Sequence, residues 1–191
     1  MKNAHLLRSE GRPAPGDLRF VQDLLNTLDV EKGIDGLAST SLAAGWLERF
    51  GLISRHTIVD ETDVARLIEF REAVRSLLRA HAGADADEEA TRVLDDLSSS
   101  VELGVSFQPT GKLTIRNRSE GIDGAFGALL VAIHEATANG TWERLKACAR
   151  DTCQWVYYDA SKNHSSNWCS MRTCGNREKV ARHRHKAATS E

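Results

Sequence analysis

Along most of the chain, apolar residues recur at intervals of three and four, which is the spacing of the buried face of an α-helix. The pattern is clearest from Thr62 to His81, where seven apolar residues form one broad stripe before Gly83, a residue type common at helix ends. Four other stretches show the same spacing over shorter lengths. We predict helices over residues 18–29, 42–50, 62–81, 87–98 and 124–138.

The period changes between the fourth and fifth of these helices. Apolar residues alternate with small or polar ones over Leu103–Phe107 and again over Leu113–Asn117, and Pro109–Gly111 forms a turn between them. Alternation with a period of two on both sides of a turn is typical of a β-hairpin. Asp123 then provides an N-terminal cap for the fifth helix. We therefore expect the chain up to residue 141 to be a mainly α domain with one β-hairpin.

The last part of the chain has a shorter, mixed pattern. Aromatic and aliphatic residues from Trp155 to Tyr158 predict a strand, and residues 159–163 have the composition of a turn. Gly175 permits a tight bend, and Asn176 is a favourable N-cap for a C-terminal helix. We divide the chain into a flexible tail at 1–16, a helical domain at 17–141 and a small C-terminal module at 142–188.

The net charge of −2 is divided unevenly between these parts. Residues 1–141 contain 15 Lys and Arg against 22 Asp and Glu, whereas residues 142–191 contain 10 against 5. An acidic body joined to a basic segment favours a negatively charged partner for that segment. No apolar run is long enough to span a bilayer and the N-terminus lacks the apolar core of a signal peptide, so we expect a cytoplasmic protein without a membrane partner.

All four cysteines lie in the basic segment. Cys148 and Cys153 form one C-x4-C pair, and Cys169 and Cys174 form a second pair after fifteen intervening residues. Disulfides are rare in the cytoplasm, so a metal is the favoured explanation of this cluster. Four thiolates in a tetrahedron suit a structural Zn²⁺ ion, which would then have no open position for catalysis. An iron–sulfur cluster is the alternative that also takes four thiolates.

Basic residues are concentrated in the helix predicted after Cys174. Lys179, Arg182, His183 and Lys186 are spaced i, i+3, i+4 and i+7, so they share one face. A basic helix beside a small zinc module is suited to contact phosphates. Charged helical faces are more often simply solvated, so the charge alone does not establish DNA binding.

The four cysteines belong to a longer pattern. After the first pair, Trp155, Tyr157 and Asp159 occupy alternate positions. The second pair begins within the letters W-C-S-M at 168–171 and ends within the letters C-G-N-R at 174–177. This pattern, which covers residues 148–179, resembles the CGNR zinc-finger family. The resemblance implies a bacterial protein that binds DNA and regulates transcription, with the four cysteines as zinc ligands.

The segment before this module resembles the ABATE domain that accompanies the finger. The letters F-V-Q-D-L-L-N-T-L-D at 20–29 and L-A-A-G-W-L at 42–47 look like its first two helices. The resemblance implies a helical domain that senses a ligand or a stress signal, so we expect a small-molecule effector. At 164–167 the chain reads H-S-S-N, where family members often carry arginines. This departure moves the expected DNA contacts toward the C-terminal helix.

We therefore predict a zinc-dependent, DNA-binding transcriptional regulator. The alternative is a zinc-stabilised adaptor that binds another protein or RNA, and a homodimer is compatible with either function. No spacing of histidine, serine or acidic residues indicates a catalytic site, so we do not expect an enzyme. The predicted zinc ligands are Cys148, Cys153, Cys169 and Cys174, and the predicted DNA-contacting residues are Lys162, Asn163, Arg172, Asn176, Arg177, Lys179, Arg182, Arg184 and Lys186.

Overall fold

The computed structural model describes residues 13–188 and, within them, all side chains except those of residues 183 and 185–188. Most of the predicted tail at 1–16 lies outside the described residues. Ala14, at the end of that range, is buried, and its backbone amide donates a hydrogen bond to the side-chain oxygen of Gln22. Ala14 therefore belongs to the folded domain and not to the tail.

The described residues form six helices and three antiparallel pairs of short strands, which confirms the predicted mainly α fold. Within this part of the chain, none of the helices has the length and apolar character that crossing a membrane requires. The elements are α1 Leu18–Leu25, β1 Leu28–Asp29, β2 Ile34–Asp35, α2 Thr40–Arg49, α3 Glu61–Ala80, α4 Glu88–Ser98, β3 Leu103–Phe107, β4 Leu113–Asn117, α5 Gly121–Ala138, a 3-10 turn Trp142–Arg144, β5 Leu145–Ala147, β6 Val156–Tyr158, a π-helical turn Met171–Gly175 and α6 Asn176–Ala188.

The main core lies between α1, α3 and α5, because α1 packs against both of the longer helices. Leu24, Leu67 and Leu129, one from each helix, have no exposed surface. The rings of Phe70 and Phe126 also meet there, with their centroids 5.5 Å apart. The apolar stripes predicted from spacing therefore face one another in a common core.

Local capping fixes where the long helices begin. At the start of α3, Asp60 and Asp63 exchange hydrogen bonds between side chain and backbone, which is a capping box. The prediction that Asp123 caps α5 is wrong, because Gly121 begins the helix two residues earlier with a φ of +59°. Asp123 lies in the first turn and its carboxylate accepts a 2.6 Å hydrogen bond from Arg66.

The first helix is shorter than its apolar spacing predicts. It ends at Leu25, and the Thr27 hydroxyl donates to the carbonyl oxygen of Leu24 at 2.7 Å. The chain then enters the strand pair β1–β2, in which Asp29 pairs with Ile34. Strands of two residues are too short to produce an alternating pattern, so the sequence did not indicate this pair.

The predicted hairpin is confirmed as β3–β4, with Val105 opposite Ile115. Its base is fixed to α5, because Asn117 donates a 2.6 Å hydrogen bond to the carbonyl oxygen of Gly124. A Cβ atom at Gly127 would lie only 2.1 Å from the Asn117 side-chain oxygen, so this approach requires glycine. The apolar side chains farther along the hairpin remain exposed to solvent, by 46% at Leu103, 56% at Val105, 69% at Phe107 and 51% at Leu113.

Candidate metal centre and nucleic-acid interface

The four cysteines come together although they are spread over 27 residues. Their sulfur atoms all lie within 4.8 Å of one another, and the sulfur of Cys169 is 3.7 Å from those of both Cys153 and Cys174. A tetrahedral Zn²⁺ ion with Zn–S bonds near 2.3 Å would hold its sulfurs about 3.8 Å apart. Cys148 completes the set, and only Cys169 is less than fully buried. The donor atoms and their spacing therefore fit a four-thiolate metal site.

Hydrogen bonds within the cluster already favour one thiolate. The pKa of Cys153 is lowered because the thiols of Cys148 and Cys169 donate to its sulfur. The pKa of Cys148 is raised to about 12, mainly because its thiol is the donor in the bond to Cys153 and also because it is buried. A divalent cation would replace these shared protons, since metal binding to cysteine releases protons.

The chain around β6 divides its side chains between the cysteine cluster and the main core. Trp155 and Tyr157 are buried beside the cysteines, together with the partly buried Trp168. Val156, which points to the opposite side, is fully buried in the main core. The aromatic rings thus cover the candidate metal site, and a single strand joins that site to the helical body.

A buried ion pair shapes the loop between the two cysteine pairs. The Lys146 ammonium lies 3.0 Å from the Asp159 carboxylate and donates a 2.6 Å hydrogen bond to the carbonyl oxygen of His164. Burial alone would raise the pKa of Asp159, but hydrogen bonds from Ser161 and Lys146 lower it to about 2. The Asp159 carboxylate also accepts from the backbone amide of Ser166. The loop is therefore held at both ends by one charged pair.

One shallow groove brings together four of the predicted DNA-contacting residues. It runs along the π-helical turn and α6, has a volume of about 650 Å³, and is called the arginine groove below. The residues that line it are spaced i, i+1, i+4, i+5, i+8, i+9 and i+12, so they follow one side of a continuous helical segment. They are Arg172, Thr173, Asn176, Arg177, Val180, Ala181 and Arg184.

Four other predicted DNA-contacting residues lie outside this groove. Lys179 and Arg182 are exposed on α6, but they do not line the groove. Lys162 and Asn163 are exposed in the loop between the cysteine pairs. The side chain of Lys186 is not among those that the structure describes. Lys179 and Arg182, which belong to the predicted basic face, therefore lie on a different side of α6 from the arginines of the groove.

The C-terminal helical segment also begins earlier than predicted. The prediction that Asn176 is its N-cap is wrong, because Asn176 has helical backbone angles and its side chain donates to the carbonyl oxygen of Arg172. The cap is Ser170, whose hydroxyl accepts from the backbone amide of Thr173. The helical segment therefore begins at Met171, which adds Arg172 to the same surface as Arg177.

Two family models match the chain. One is the ABATE family, described as "Putative stress-induced transcription regulator", which matches residues 18–154. The chain belongs to the ABATE family. The other is the CGNR zinc finger, which matches residues 144–187, so both resemblances seen in the sequence are confirmed. No curated protein matched the chain.

The ABATE domain and the CGNR finger meet at the strand pair β5–β6, of which β5 lies in both family matches. The two family matches overlap over residues 144–154, and Leu145, just inside that overlap, is fully buried in the main core. Asn26 lies at the end of α1 and forms two hydrogen bonds to the backbone of Val156, at 2.8 and 2.9 Å. A side-chain amide thus pairs with β6 as a neighbouring strand would. The finger is anchored in the ABATE core and is not a separate appendage.

Arg75 forms a second buried link between the ABATE domain and the finger. Its guanidinium is 2% exposed and donates to the carbonyl oxygens of Leu25 and Gln154. Gln154 directly follows Cys153 and has a φ of +52°, a conformation that needs support from its surroundings. Burial lowers the pKa of Arg75, and the neighbouring Glu72 carboxylate opposes that shift. Arg75 therefore holds the backbone next to a candidate metal ligand.

The sequence prediction missed the roles of Asn26, Arg71 and Arg75. A signal for the two arginines was nevertheless present, because residues 67, 71, 75 and 78 lie on one face of α3 and include the buried Leu67 and Leu78. An arginine in such an apolar stripe is expected to be buried, and a buried arginine almost always pairs with an acidic or other polar group. Arg71 pairs with Asp35 at 2.6 Å, which raises its pKa although burial acts in the opposite direction.

Two ion pairs connect the start of α6 to other parts of the molecule. Arg177, the last residue of the C-G-N-R letters, lies 2.6 Å from a carboxylate oxygen of Glu31 in the turn between β1 and β2. Glu178 lies 3.7 Å from Arg150, which is between the first two cysteines. One arginine of the arginine groove therefore already contacts a carboxylate of the ABATE domain.

Proposed function

We propose that this protein is a DNA-binding transcriptional regulator whose CGNR finger holds a structural Zn²⁺ ion through Cys148, Cys153, Cys169 and Cys174. The observation that carries the proposal is the arginine groove, in which three arginines share one exposed side of a helix next to the cysteine cluster. Arginine is suited to bind phosphate because its planar guanidinium donates several hydrogen bonds. The description of the ABATE family as a transcription regulator supports the same function.

In this proposal the metal site has a structural role and the finger binds DNA without catalysing a reaction. A tetrahedral site with four thiolates has no open position for a substrate, so the ion would act by fixing the fold of the finger. The function requires access to the chromosome, which supports a cytoplasmic location in a bacterial cell. A small-molecule effector of the ABATE domain would provide the regulatory signal, and the resemblance to a sensor domain supports it.

The first prediction concerns the salt dependence of DNA binding. Each arginine that contacts a phosphate releases a counterion, so the double variant Arg177→Ala and Arg184→Ala should weaken binding at low salt. The slope of log K against log salt should become shallower by about 2, one unit for each lost contact. The measurement is a titration of the zinc-loaded protein against random genomic fragments at several salt concentrations.

A matched control separates this contact from a general effect of charge. The double variant Arg55→Ala and Arg92→Ala removes the same charge from exposed positions of the ABATE domain. It should leave the slope near that of the wild type. Equal slopes for wild type and groove variant would place the contact elsewhere, and absence of binding at low salt would reject the DNA-binding function.

The second prediction concerns the contact between Glu31 and Arg177. The carboxylate occupies a donor that a phosphate would use, so Glu31→Gln should strengthen DNA binding. Both side chains are partly exposed, and such pairs are worth at most about 1 kcal/mol, so the gain should be about 2- to 5-fold. The control Glu48→Gln removes one negative charge from the exposed side of α2. An equal gain in both variants would show an effect of net charge only.

A protein-interaction function is the second candidate, and the exposed hairpin favours it. Val105 and Phe107 are apolar and more than half exposed. Contiguous exposed apolar surface usually marks a site that contacts another molecule. This surface could be covered by a second copy of the chain, which would give a homodimer, or by another partner. Enrichment of one DNA sequence in a selection from genomic fragments would support the regulator, whereas a protein that binds no fragment at low salt would support the adaptor.

A further inference from the structure

The arginine groove contains an apolar centre between charged ends. Val180 is 50% exposed, and Ala181 beside it is also exposed. Arg177 lies three residues before Val180, and Arg184 lies four residues after it. An isolated exposed valine is ordinary on a protein surface. This one differs because it lies between arginines that are suited to bind a phosphate backbone.

The position of α6 makes this surface accessible. Of the elements in the described chain, α6 packs mainly on the π-helical turn that precedes it, and its first turn is tied to the rest of the molecule through Arg177 and Glu178. The described side chains beyond these, at 179–182 and 184, are exposed. A single helix of this kind has a diameter that the major groove of B-DNA, about 12 Å wide, can admit.

The spacing along the helix agrees with such an arrangement. Arg177 and Arg184 are seven residues apart, which is about 10.5 Å along the helix axis. When such a helix lies along the major groove, the long side chains of these two arginines can reach outward to phosphates at its edges while a residue between them with a short side chain faces the base edges. Val180 is that residue. An aliphatic side chain at the base edges has one matching group in DNA, the 5-methyl group of thymine.

We propose that α6 enters the major groove and that Val180 determines sequence specificity by packing against a thymine methyl group. This inference rests on the proposed DNA-binding function and adds the base that is read. Arg172, Arg177 and Arg184 then position the helix on the backbone without reading sequence, and Val180 supplies a preference that those contacts cannot supply. The branched side chain is rigid, so it presents its two methyl groups at low entropic cost.

The test uses DNA that lacks single methyl groups. A site is first selected from a random-sequence pool with the zinc-loaded wild-type protein, and each thymine in it is then replaced by deoxyuridine, which pairs identically. At one position this replacement should weaken binding by about 4-fold, which corresponds to the loss of one buried methyl group. Val180→Ala should bind thymine and deoxyuridine at that position equally, whereas Val180→Ile should keep the discrimination.

The salt dependence separates this inference from the function on which it rests. Val180 contacts no phosphate in the proposed complex, so Val180→Ala should have the same salt slope as the wild type. Salt-dependent binding with no thymine whose methyl matters, or with the same methyl effect in Val180→Ala, would overturn the role of Val180 and leave DNA binding intact. Wild-type protein that does not bind DNA at all would overturn the proposed function itself. Zinc content and circular dichroism confirm that the variants are folded.

Discussion

Removal of the metal should unfold the CGNR finger and leave most of the ABATE domain folded. A structural Zn²⁺ ion contributes on the order of 10–16 kcal/mol of apparent binding free energy to small zinc modules. The apolar cluster around the cysteines contains only a few side chains, mainly Trp155, Tyr157 and Trp168, and it cannot replace that contribution. The main core between α1, α3 and α5 has no part in the metal site, so its helices should persist.

The boundary of this unfolding follows from the contacts between the two parts. Residues 145–147 and 156 lie in or beside the main core, and Asn26 holds the backbone of Val156. We expect these residues to stay protected, and the chain from the π-helical turn onward to become accessible. After treatment with a strong chelator, trypsin should cleave first at Arg172, Arg177 and Arg184, and far-ultraviolet circular dichroism should lose only the signal of α6.

The variant Cys174→Ser should reproduce the effect of the chelator, because Cys174 is fully buried within the cluster and serine is a poor ligand for Zn²⁺. The adjacent Thr173→Ser is the matched control, since it also makes a small change in the π-helical turn. Its resistance to trypsin and its zinc content should equal those of the wild type. Identical trypsin resistance of wild type and Cys174→Ser would show that the cysteine cluster does not need a metal to fold.

Much of the fold was predictable because its signals are local. The capping residues near Asp60, the alternation around Pro109 and the glycine at position 83 each determine an element from neighbouring residues alone. The end of α1 was not predictable in this way. Its apolar spacing continues to Leu28, but Leu28 belongs to strand β1 in the structure. This strand forms because folding brings residues 34 and 35 beside it, which the local sequence does not indicate.

The candidate site likewise has features that the local sequence predicts and others that it does not. Spacing of the cysteines was sufficient to predict that they come together, because four thiolates at such intervals have few other uses. The arginine groove was not predicted, because Arg172 joins the surface of Arg177 and Arg184 only when the helical segment begins at Met171 and not after Asn176. The contacts of Asn26 and Arg75 were also hidden, since both bind backbone carbonyl or amide groups, which carry no sequence signature.

The largest effect of a single change outside the cysteines is expected at Arg75. Its side chain is 2% exposed, and its replacement by methionine keeps the apolar volume but removes the donors to Leu25 and Gln154. Loss of a partner costs a buried carbonyl such as that of Leu25 about 1–3 kcal/mol and the partly buried carbonyl of Gln154 less, so Arg75→Met should lower the free energy of unfolding by about 3 kcal/mol. For a protein of this size, that corresponds to a fall in Tm of roughly 10 °C.

Arg79 provides the matched control one turn farther along α3. It pairs with Asp151 at 2.8 Å, but its side chain is 39% exposed and that of Asp151 is 81% exposed. A surface pair of this kind contributes less than about 1 kcal/mol, so Arg79→Met should change Tm by no more than about 3 °C. Both variants remove one arginine charge from the same helix. Equal losses in thermal unfolding would therefore show that burial of Arg75 does not matter.

A second measurement distinguishes a general loss of stability from the specific link to the finger. Arg75 holds the carbonyl oxygen of Gln154, the residue after Cys153, so its removal should loosen one predicted metal ligand even well below Tm. We expect Arg75→Met to release Zn²⁺ to a coloured chelator faster than the wild type at 25 °C, and Arg79→Met to release it at the wild-type rate. A lower Tm with an unchanged rate of Zn²⁺ release would show that Arg75 stabilises only the ABATE core. Faster release would show that the ABATE domain stabilises the metal site, so that a change in the helical body could reach the finger through Arg75.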